Sequence, residues 1–364
     1  MRTYGKRIVS GGAARIGIPC ERCPQSPFPP PKTRGKGLLL EGSRWQARPM
    51  RIIAIALGTA ALALALPAAA QDKSAPAPSP GEIVAAAPAS EWIAIAPDDL
   101  LVMTLAPDAE GEAREVVIQL IPPPFSQGWV ENIRTLARAH WYDGIAVTRV
   151  QDNYVVQWGD PNAADEAKAK PLPEGLRVME EDDYRTTTPG AALPMDAVEI
   201  TADPYAQSSF FVEGWPIAGS DERAWPVHCY GMVGVGRGMS PDTGSGAELY
   251  TVIGHAPRHL DRNIALVGRV VEGIEHLSSL PRGTGPLGFY EDRTQNVPIV
   301  SVRIASDLPE SERPRFEYLS TEGETFARYV DARANRRDPF FIVPAGGVDI
   351  CNAPVPVRRV SEDS

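Results

Sequence analysis

The chain has 364 residues, of which 43% are hydrophobic and 23% are charged. This balance is typical of a globular protein, and it excludes a wholly disordered chain and one made mainly of membrane spans. Lys and Arg total 36 against 46 Asp and Glu, and ten of the basic residues lie within residues 1–49, which hold only two acidic ones. The remainder is therefore strongly acidic, and such a surface favours neither nucleic acid nor an anionic membrane as a partner.

The amino-terminal part predicts an export signal. Met50 and Arg51 are followed by an apolar run over 52–66 and by small residues up to Ala70. A basic start, a short apolar run and an Ala-x-Ala end are typical of a secretory signal peptide over 50–70 that is cleaved after Ala70. Because about 20 apolar residues are needed to cross a bilayer, we expect no integral membrane span after cleavage. The alternative is a buried helix rich in Ala and Leu.

The segments on either side of this signal are expected to be unstructured. Residues 1–49 are rich in Arg and Pro and lack helical or strand periodicity, so we interpret them as an over-extended, disordered start, with Met50 as the real first residue. Residues 71–89 read as a Pro/Ala-rich linker, and the folded part is expected to begin near Glu91. We expect an exported, periplasmic protein.

The cysteines agree with export. Cys20 and Cys23 form a C-x-x-C motif without a second pair, which argues against a zinc or redox site. Cys229 and Cys351 lie in the predicted mature part. In an oxidising compartment they could form one disulfide, and the alternative is two separately buried free thiols.

Residues 90–308 predict a mainly β domain. Eight short stretches rich in branched residues read as strands, at 100–106, 115–121, 145–150, 154–158, 231–235, 249–253, 264–271 and 299–305. Two helices are expected, one capped by Ser126 and the other over 273–280, before Pro281. Many short strands with few helices favour a β-barrel or a β-sandwich.

Two segments do not follow this pattern of short predicted strands. Residues 161–228 are rich in proline and read as a long insertion with a strand or two of its own. Residues 309–364 read as a C-terminal extension, with a helix over 321–337 that ends at Asp338 and Pro339.

A charged residue inside one predicted hairpin is the first candidate for chemistry. Arg149 projects opposite to Val150, and Gln157 lies on the neighbouring strand of the same hairpin. Because an unpaired buried charge is costly, an Arg flanked by apolar and aromatic residues needs a paired or functional role. The alternative is a surface position on an exposed face.

Three blocks, in order, resemble the cyclophilin-type peptidyl-prolyl isomerases. The family's central motif contains Arg-Val, Phe-Met and Gln-Gly-Gly-Asp, and this chain has the same spacing in Arg149-Val150, Tyr154-Val155 and Gln157-Trp158-Gly159-Asp160. Residues 231–250 resemble its Gly-x-x-x-Met-Ala and Gly-Ser-Gln-Phe-Phe segments. Residues 259–273 resemble its Leu-Asp-Gly-Lys and Phe-Gly-x-Val-x-x-Gly segments. The resemblance covers roughly residues 98–306.

The resemblance implies one closed antiparallel eight-stranded barrel capped by two helices, on which the insertion and the extension pack. It implies isomerisation of X-Pro bonds in proline-containing segments of exported proteins, without a metal or a cofactor. Arg149 would be the catalytic hydrogen-bond donor, held still by Gln157. The substrate-binding residues would be those at the other matched positions, which are Tyr154, Val155, Glu248, Tyr250, His259 and Leu260.

The chain departs from the family's pattern around this pocket. Glu248 replaces the usual Gln, His259 the usual Trp and Ile264 the usual His, and Tyr154-Val155 replaces the more apolar Phe-Met. Glu248 could pair with Arg149 and compete with substrate, or accept a backbone N–H. We therefore expect reduced activity. The alternative is a non-catalytic module that binds proline-containing segments and uses residues 309–364 as its functional surface.

Other motifs point less clearly to chemistry. Asp242-Thr243-Gly244 spells the signature of aspartic proteases, in which two carboxylates share a proton. No apolar strand is predicted before it and no second copy occurs, so a protease would need a homodimer, and we prefer a polar turn. The five His residues show no metal-ligand spacing, so we predict no metal site.

Overall fold

The computed structural model describes residues 76–187, 198–200 and 203–360. The predicted signal peptide, residues 1–49 and the start of the predicted linker lie outside the described residues. The described helices are α1 (Pro80–Ala85), α2 (Gln127–Arg138), α3 (Glu275–Ser278) and α4 (Glu324–Ala334). The described strands are β1 (Trp92–Ala94), β2 (Leu100–Leu105), β3 (Arg114–Leu120), β4 (Ala146–Val150), β5 (Val155–Gly159), β6 (Thr186–Thr187), β7 (Glu199–Ile200), β8 (Ser208–Val212), β9 (Trp215–Ser220), β10 (Arg223–Pro226), β11 (Met232–Val235), β12 (Leu249–Val252), β13 (Leu266–Glu272), β14 (Val297–Ile304), β15 (Phe316–Leu319) and β16 (Val357–Arg359).

Eight strands close into a barrel. Their order is β11-β12-β5-β4-β14-β2-β3-β13, and β11 pairs with β13 to complete the ring. Every neighbouring pair is antiparallel. Each of the eight strands predicted from the sequence overlaps one of these strands. The prediction of a closed antiparallel eight-stranded barrel is confirmed.

Strand β2 shows how the barrel joins the rest of the chain. Leu101 and Met103 belong to the main core, while Leu100 and Val102 pack in a second apolar cluster with Phe316. Successive side chains of a strand point to opposite faces, so β2 is buried on both faces. Its outer face is covered because the C-terminal extension supplies Phe316.

The insertion forms more structure than the sequence indicated. It contains a five-stranded sheet in the order β6-β10-β9-β8-β7, where we expected a strand or two. Pro216 lies within β9 and Pro226 ends β10. Proline cannot donate to a strand ladder, so these residues argued against strands in the sequence although the sheet accommodates them.

The C-terminal extension shares a sheet with residues that precede the barrel. β1 and β16 flank β15 in a three-stranded antiparallel sheet. Helix α4 is shorter than the predicted 321–337 at both ends, because the backbone of Gly323 before it is extended and that of Asn335 after it is not helical. Thr321 lies before the helix, and its Oγ1 accepts the N–H of Gly214 at 3.0 Å. None of the described helices is both long and apolar enough to cross a membrane.

Two local expectations near helix starts need correction. The folded part begins earlier than Glu91, because Pro80–Ala85 form α1, whose start is closed by a reciprocal capping box between Ser79 and Glu82. Ser126 occupies the N-cap position of α2, but its side chain makes no capping hydrogen bond. Its backbone is left-handed, with φ of 52°, whereas a capping side chain normally belongs to an extended residue.

A disulfide joins the end of the insertion to the extension. Cys229 and Cys351 are bonded, with Cα atoms 5.0 Å apart and a sequence separation of 122 residues. The bridge therefore closes a loop that includes barrel strands β11 to β14.

Reduction of this disulfide is expected to lower the free energy of unfolding by about 4 to 5 kcal/mol, because the unfolded chain regains the entropy of a long loop. Urea denaturation with and without dithiothreitol measures the difference. The double variant Cys229→Ser/Cys351→Ser is the matched control, and its midpoint should not respond to dithiothreitol. Equal midpoints for the oxidised and the reduced wild type would contradict this expectation.

Candidate active site

A β-bulge sets the direction of the Arg149 side chain. β4 pairs with β5 so that Arg149 lies opposite Gln157, and the register shifts between Val147 and Arg149. Val147 and Val150 both belong to the main core although they lie three positions apart. The irregular register accounts for this, since a bulge locally breaks the alternation of side chains. Arg149 therefore points away from the barrel core.

Three neutral oxygen atoms hold the guanidinium of Arg149. Its Nη1 donates to Oε1 of Gln157 at 2.7 Å, and its Nε donates to the carbonyl oxygen of Leu287 at 2.7 Å. Its Nη2 donates to Oε1 of Gln151. Since a guanidinium carries five N–H donors, two are left after these three hydrogen bonds.

Two aromatic rings flank the same guanidinium. Cζ of Arg149 lies 5.7 Å from the ring centroid of Tyr154 and 5.4 Å from that of Phe289, within the range of cation–π attraction. Burial lowers the pKa of Arg149, whereas Tyr154 and the charge of Glu248 raise it. An arginine stays protonated in proteins, so the site holds a permanent positive charge.

Gln157 stands between Arg149 and Glu248. Its Oε1 accepts from Arg149 while its Nε2 donates to Oε1 of Glu248, so both polar atoms of the amide are used. Gln157 is only 9% exposed, which limits other orientations of the amide. Glu248 is thus placed behind Gln157, and it forms no ion pair with Arg149 in the described part of the chain.

Two glycines make room for the side chain of Glu248. A Cβ atom on Gly236 would lie 2.7 Å from Cγ of Glu248, and one on Gly159 would lie 3.2 Å from the same atom. Larger residues at either position would displace the carboxylate that accepts from Gln157.

A cavity of about 100 Å³ lies beside the guanidinium. Its lining residues are Arg149, Tyr154, Val155, Gln157, Gly236, Arg237, Tyr250, Leu260 and Ile264. The apolar part is one cluster, in which the buried Val155, Tyr250 and Val252 pack with Tyr154, Leu260 and Ile264. The cavity therefore combines this apolar cluster with polar residues, among which are the guanidinium of Arg149 and a second arginine, Arg237.

The structure brings most of the predicted site residues to this cavity. Six of the eight line it, and Glu248 lines a neighbouring cavity of about 410 Å³ that also contacts Gly236 and Arg237. His259 is exposed and does not line the cavity. Instead, its ring stacks on that of Tyr154, with centroids 6.1 Å apart.

Three residues that hold Arg149 were missed in the sequence. Gln151 lies two positions beyond Arg149, and a check of the strand for residues on the same side would have found it. Leu287 and Phe289 come from a loop more than 130 positions away. Neither the composition nor the spacing of that loop marks it as part of the site.

Asp242 has a structural role in its loop. Its Oδ2 accepts the N–H of Gly238 at 2.7 Å and its Oδ1 accepts that of Gly244 at 2.9 Å. The hydroxyl of Thr243 donates to the carbonyl of Met179. These contacts favour the polar turn over a protease centre. Within the described ranges, no group of three or more His, Cys, Asp or Glu side chains could hold a metal ion.

Known proteins resemble this chain in sequence and in fold. Residues 127–304 match the family described as cyclophilin type peptidyl-prolyl cis-trans isomerase/CLD. No curated protein matches the sequence. The solved structure of the cyclophilin AquaCyp293 from Hirschia baltica is similar, with a TM-score of 0.57 and 23% identity over 75% of this chain and 95% of that one. This similarity shows a shared fold.

A second solved structure is less similar. It is a cyclophilin type peptidyl-prolyl cis-trans isomerase of Cryptosporidium parvum, with a TM-score of 0.34 and 12% identity over 57% of this chain and 96% of that one.

The replacement Gly234→Ala is expected to disturb the cavity wall. Gly234 lies opposite Tyr250, and a Cβ atom there would be 2.3 Å from Cζ of the Tyr250 ring. The ring has to move, and we expect the free energy of unfolding to fall by about 1 to 3 kcal/mol, as is usual for overpacking. Urea denaturation measures the loss. Gly347→Ala is the control, since its added Cβ meets nothing within 4 Å. Equal losses in the two variants would contradict the argument.

Proposed function

We propose that this chain isomerises X-Pro bonds by means of Arg149. Its residues 127–304 belong to the cyclophilin-type peptidyl-prolyl cis-trans isomerases. The observation that carries this mechanism is the guanidinium of Arg149, which three neutral acceptors hold beside a cavity with an apolar cluster in its wall.

The reaction needs a hydrogen-bond donor more than it needs proton transfer. Resonance in the amide gives the C–N bond partial double-bond character, with a barrier to rotation of about 20 kcal/mol. When the bond twists, the lone pair becomes localised on the prolyl nitrogen. A donor aimed at that nitrogen binds the twisted state more tightly than the planar one, and this difference lowers the barrier.

Arg149 meets this requirement. The bonds to Gln157, Gln151 and Leu287 orient the guanidinium, and two N–H groups are left for the substrate. Because these partners are neutral, they do not cancel the positive charge. The proline ring would lie in the cavity and pack against the apolar side chains of Val155, Tyr250 and Leu260.

Arg149→Ala is expected to reduce kcat/KM for a short X-Pro peptide by about 100-fold, the usual loss when one donor to a developing charge is removed. The thermal midpoint should change little, because the side chain is only partly buried. Arg149→Lys keeps the charge but loses the planar guanidinium that Gln157 and Gln151 orient. We therefore expect this variant to lose most of the activity as well. A coupled peptide-cleavage assay or exchange NMR measures the rates.

Arg328→Ala, an exposed arginine of α4, is the matched control and should keep the wild-type rate. Wild-type activity in Arg149→Ala would contradict the mechanism. Equal zero rates for the wild type and Arg149→Ala, with binding of the peptide by the wild type, would identify a non-catalytic module that binds proline-containing segments.

We also propose that the natural substrates are exported proteins that fold in the periplasm. The basic, apolar and small-residue pattern of residues 50–70 supports export. The Cys229–Cys351 disulfide supports it independently, because disulfides persist in oxidising compartments and are rare in the cytosol.

Export predicts a defined amino terminus. When the full chain is produced in a bacterium with a periplasm, signal cleavage after Ala70 should leave Gln71 as the first residue of the periplasmic protein. Edman degradation or intact-mass measurement checks this. Ala70→Leu, which removes the small residue at the cleavage point, should prevent processing at this site. A full-length cytosolic protein beginning at Met1 or Met50 would contradict export.

A further inference from the structure

A buried histidine lies behind the wall of the cavity. Nε2 of His228 and the hydroxyl oxygen of Tyr250 are 3.0 Å apart, and the two rings lie nearly parallel, with an interplanar angle of 12°. His228 is 1% exposed and Tyr250 is 4% exposed. Burial raises the pKa of Tyr250 well above its ordinary value, so its hydroxyl keeps its proton.

A carboxylate orients this histidine. Oδ1 of Asp261 lies 2.9 Å from Nδ1 of His228 and accepts the backbone N–H of the same residue at 3.0 Å. Burial raises the pKa of Asp261, but hydrogen bonds and charges from His228 and Arg258 outweigh burial and leave it below its ordinary value. The ionised carboxylate therefore accepts the Nδ1–H and orients the imidazole ring so that Nε2 lies within hydrogen-bond distance of the Tyr250 hydroxyl.

Further ion pairs fix the carboxylate. Nε of Arg258 donates to Oδ2 of Asp261 at 2.6 Å, and its Nη2 donates to Asp203 at 2.8 Å. All three side chains are at most 3% exposed. Among the described residues, the buried Nη1 of Arg258 has no hydrogen-bond partner. The bonds from Nε and Nη2 to two carboxylates still limit the alternative positions of Asp261.

The members of this network come from two parts of the chain. Asp203 and His228 belong to the insertion at 161–228, whereas Tyr250, Arg258 and Asp261 belong to the barrel domain. The residue after His228 is Cys229, which is bonded to Cys351 of the extension. The insertion is thus hydrogen-bonded to Tyr250 in the cavity wall, and the extension is covalently bonded to the residue that follows His228.

We propose that His228 is a positioning residue for the proline-binding cavity, and that the insertion sets the affinity for proline by holding the Tyr250 ring through it. The inference rests on the proposed function for its effect on catalysis. The hydroxyl of Tyr250 points toward His228, and the ring of the same residue forms part of the cavity wall. Without its partner the hydroxyl would be buried and unsatisfied, and the ring would leave its place to reach another acceptor.

Two substitutions at His228 separate its two contacts. The amide of Asn reaches about as far as Nδ1, and the amide of Gln reaches about as far as Nε2. His228→Asn should lose the Tyr250 contact, and KM and the dissociation constant of an X-Pro peptide should rise roughly tenfold, the effect of one buried hydrogen bond. We expect kcat to change little, because a wall binds the substrate and the transition state alike. His228→Gln should restore much of the affinity.

A double-mutant cycle tests the route through the hydroxyl. Tyr250→Phe keeps the ring and removes the hydroxyl, and it should weaken peptide binding by itself. In the Tyr250→Phe background, His228→Asn should cause little further loss, because the contact is already absent. If His228→Asn does not fold, Tyr250→Phe still carries the test. Additive losses in the cycle would overturn the proposal.

Crystal structures of the variants give a readout that does not depend on activity. The Tyr250 ring should be displaced in His228→Asn and retained in His228→Gln. His140→Asn is the matched control, since this histidine is exposed and its left-handed backbone suits Asn. A wild type without isomerase activity would refute the proposed function, while the ring position would still test His228. An unmoved ring with unchanged peptide affinity in folded His228→Asn would overturn the inference.

Discussion

The proposed site depends on a half-buried positive charge that forms no ion pair with any carboxylate in the described ranges. Arg149 donates to two side-chain amides and one backbone carbonyl, while Gln157 separates it from Glu248. A direct ion pair would occupy the N–H groups that have to reach the substrate and would cancel the charge that stabilises the twisted bond. Neutral acceptors and flanking rings reduce the cost of burial and leave the charge effective. The bulge in β4 and the loop with Leu287 are both needed for this arrangement.

The parts added to the barrel are built into the same domain. Arg269 of β13 is buried, and its Cζ lies 4.6 Å from the ring of Trp215 in the insertion and 5.9 Å from that of Tyr318 in the extension. Its Nη1 donates to the carbonyl of Gly214, and burial lowers its pKa to about 10. One cation therefore contacts all three parts. With the disulfide and the sheet that joins β1 to β15, it makes separate unfolding of the insertion or the extension costly.

The sequence predicted what depends on local pattern and missed what depends on tertiary contact. Strand periodicity located the eight barrel strands, and the hairpin placed Arg149 near Gln157. The bulge was not foreseen, because one extra residue leaves no mark in composition. The carbonyl of Leu287 was not foreseen either, since it lies 138 positions from Arg149. The role of His228 is not visible in the spacing of the histidines, because its partner Asp261 is 33 positions away and meets it only in the fold.

The turn at Leu260 and Asp261 couples two walls of the cavity. Leu260 lines the cavity, and the next residue, Asp261, carries the carboxylate that orients His228. His228 in turn contacts Tyr250, which lines the cavity as well. Any movement of Asp261 therefore acts on the cavity twice, directly through its neighbour and indirectly through the histidine. Because Arg258 in the same turn binds Asp203, the insertion holds this turn by an ion pair and Tyr250 by a hydrogen bond. The insertion can thus adjust how the cavity fits a proline ring through Asp203 and His228, neither of which lines the cavity.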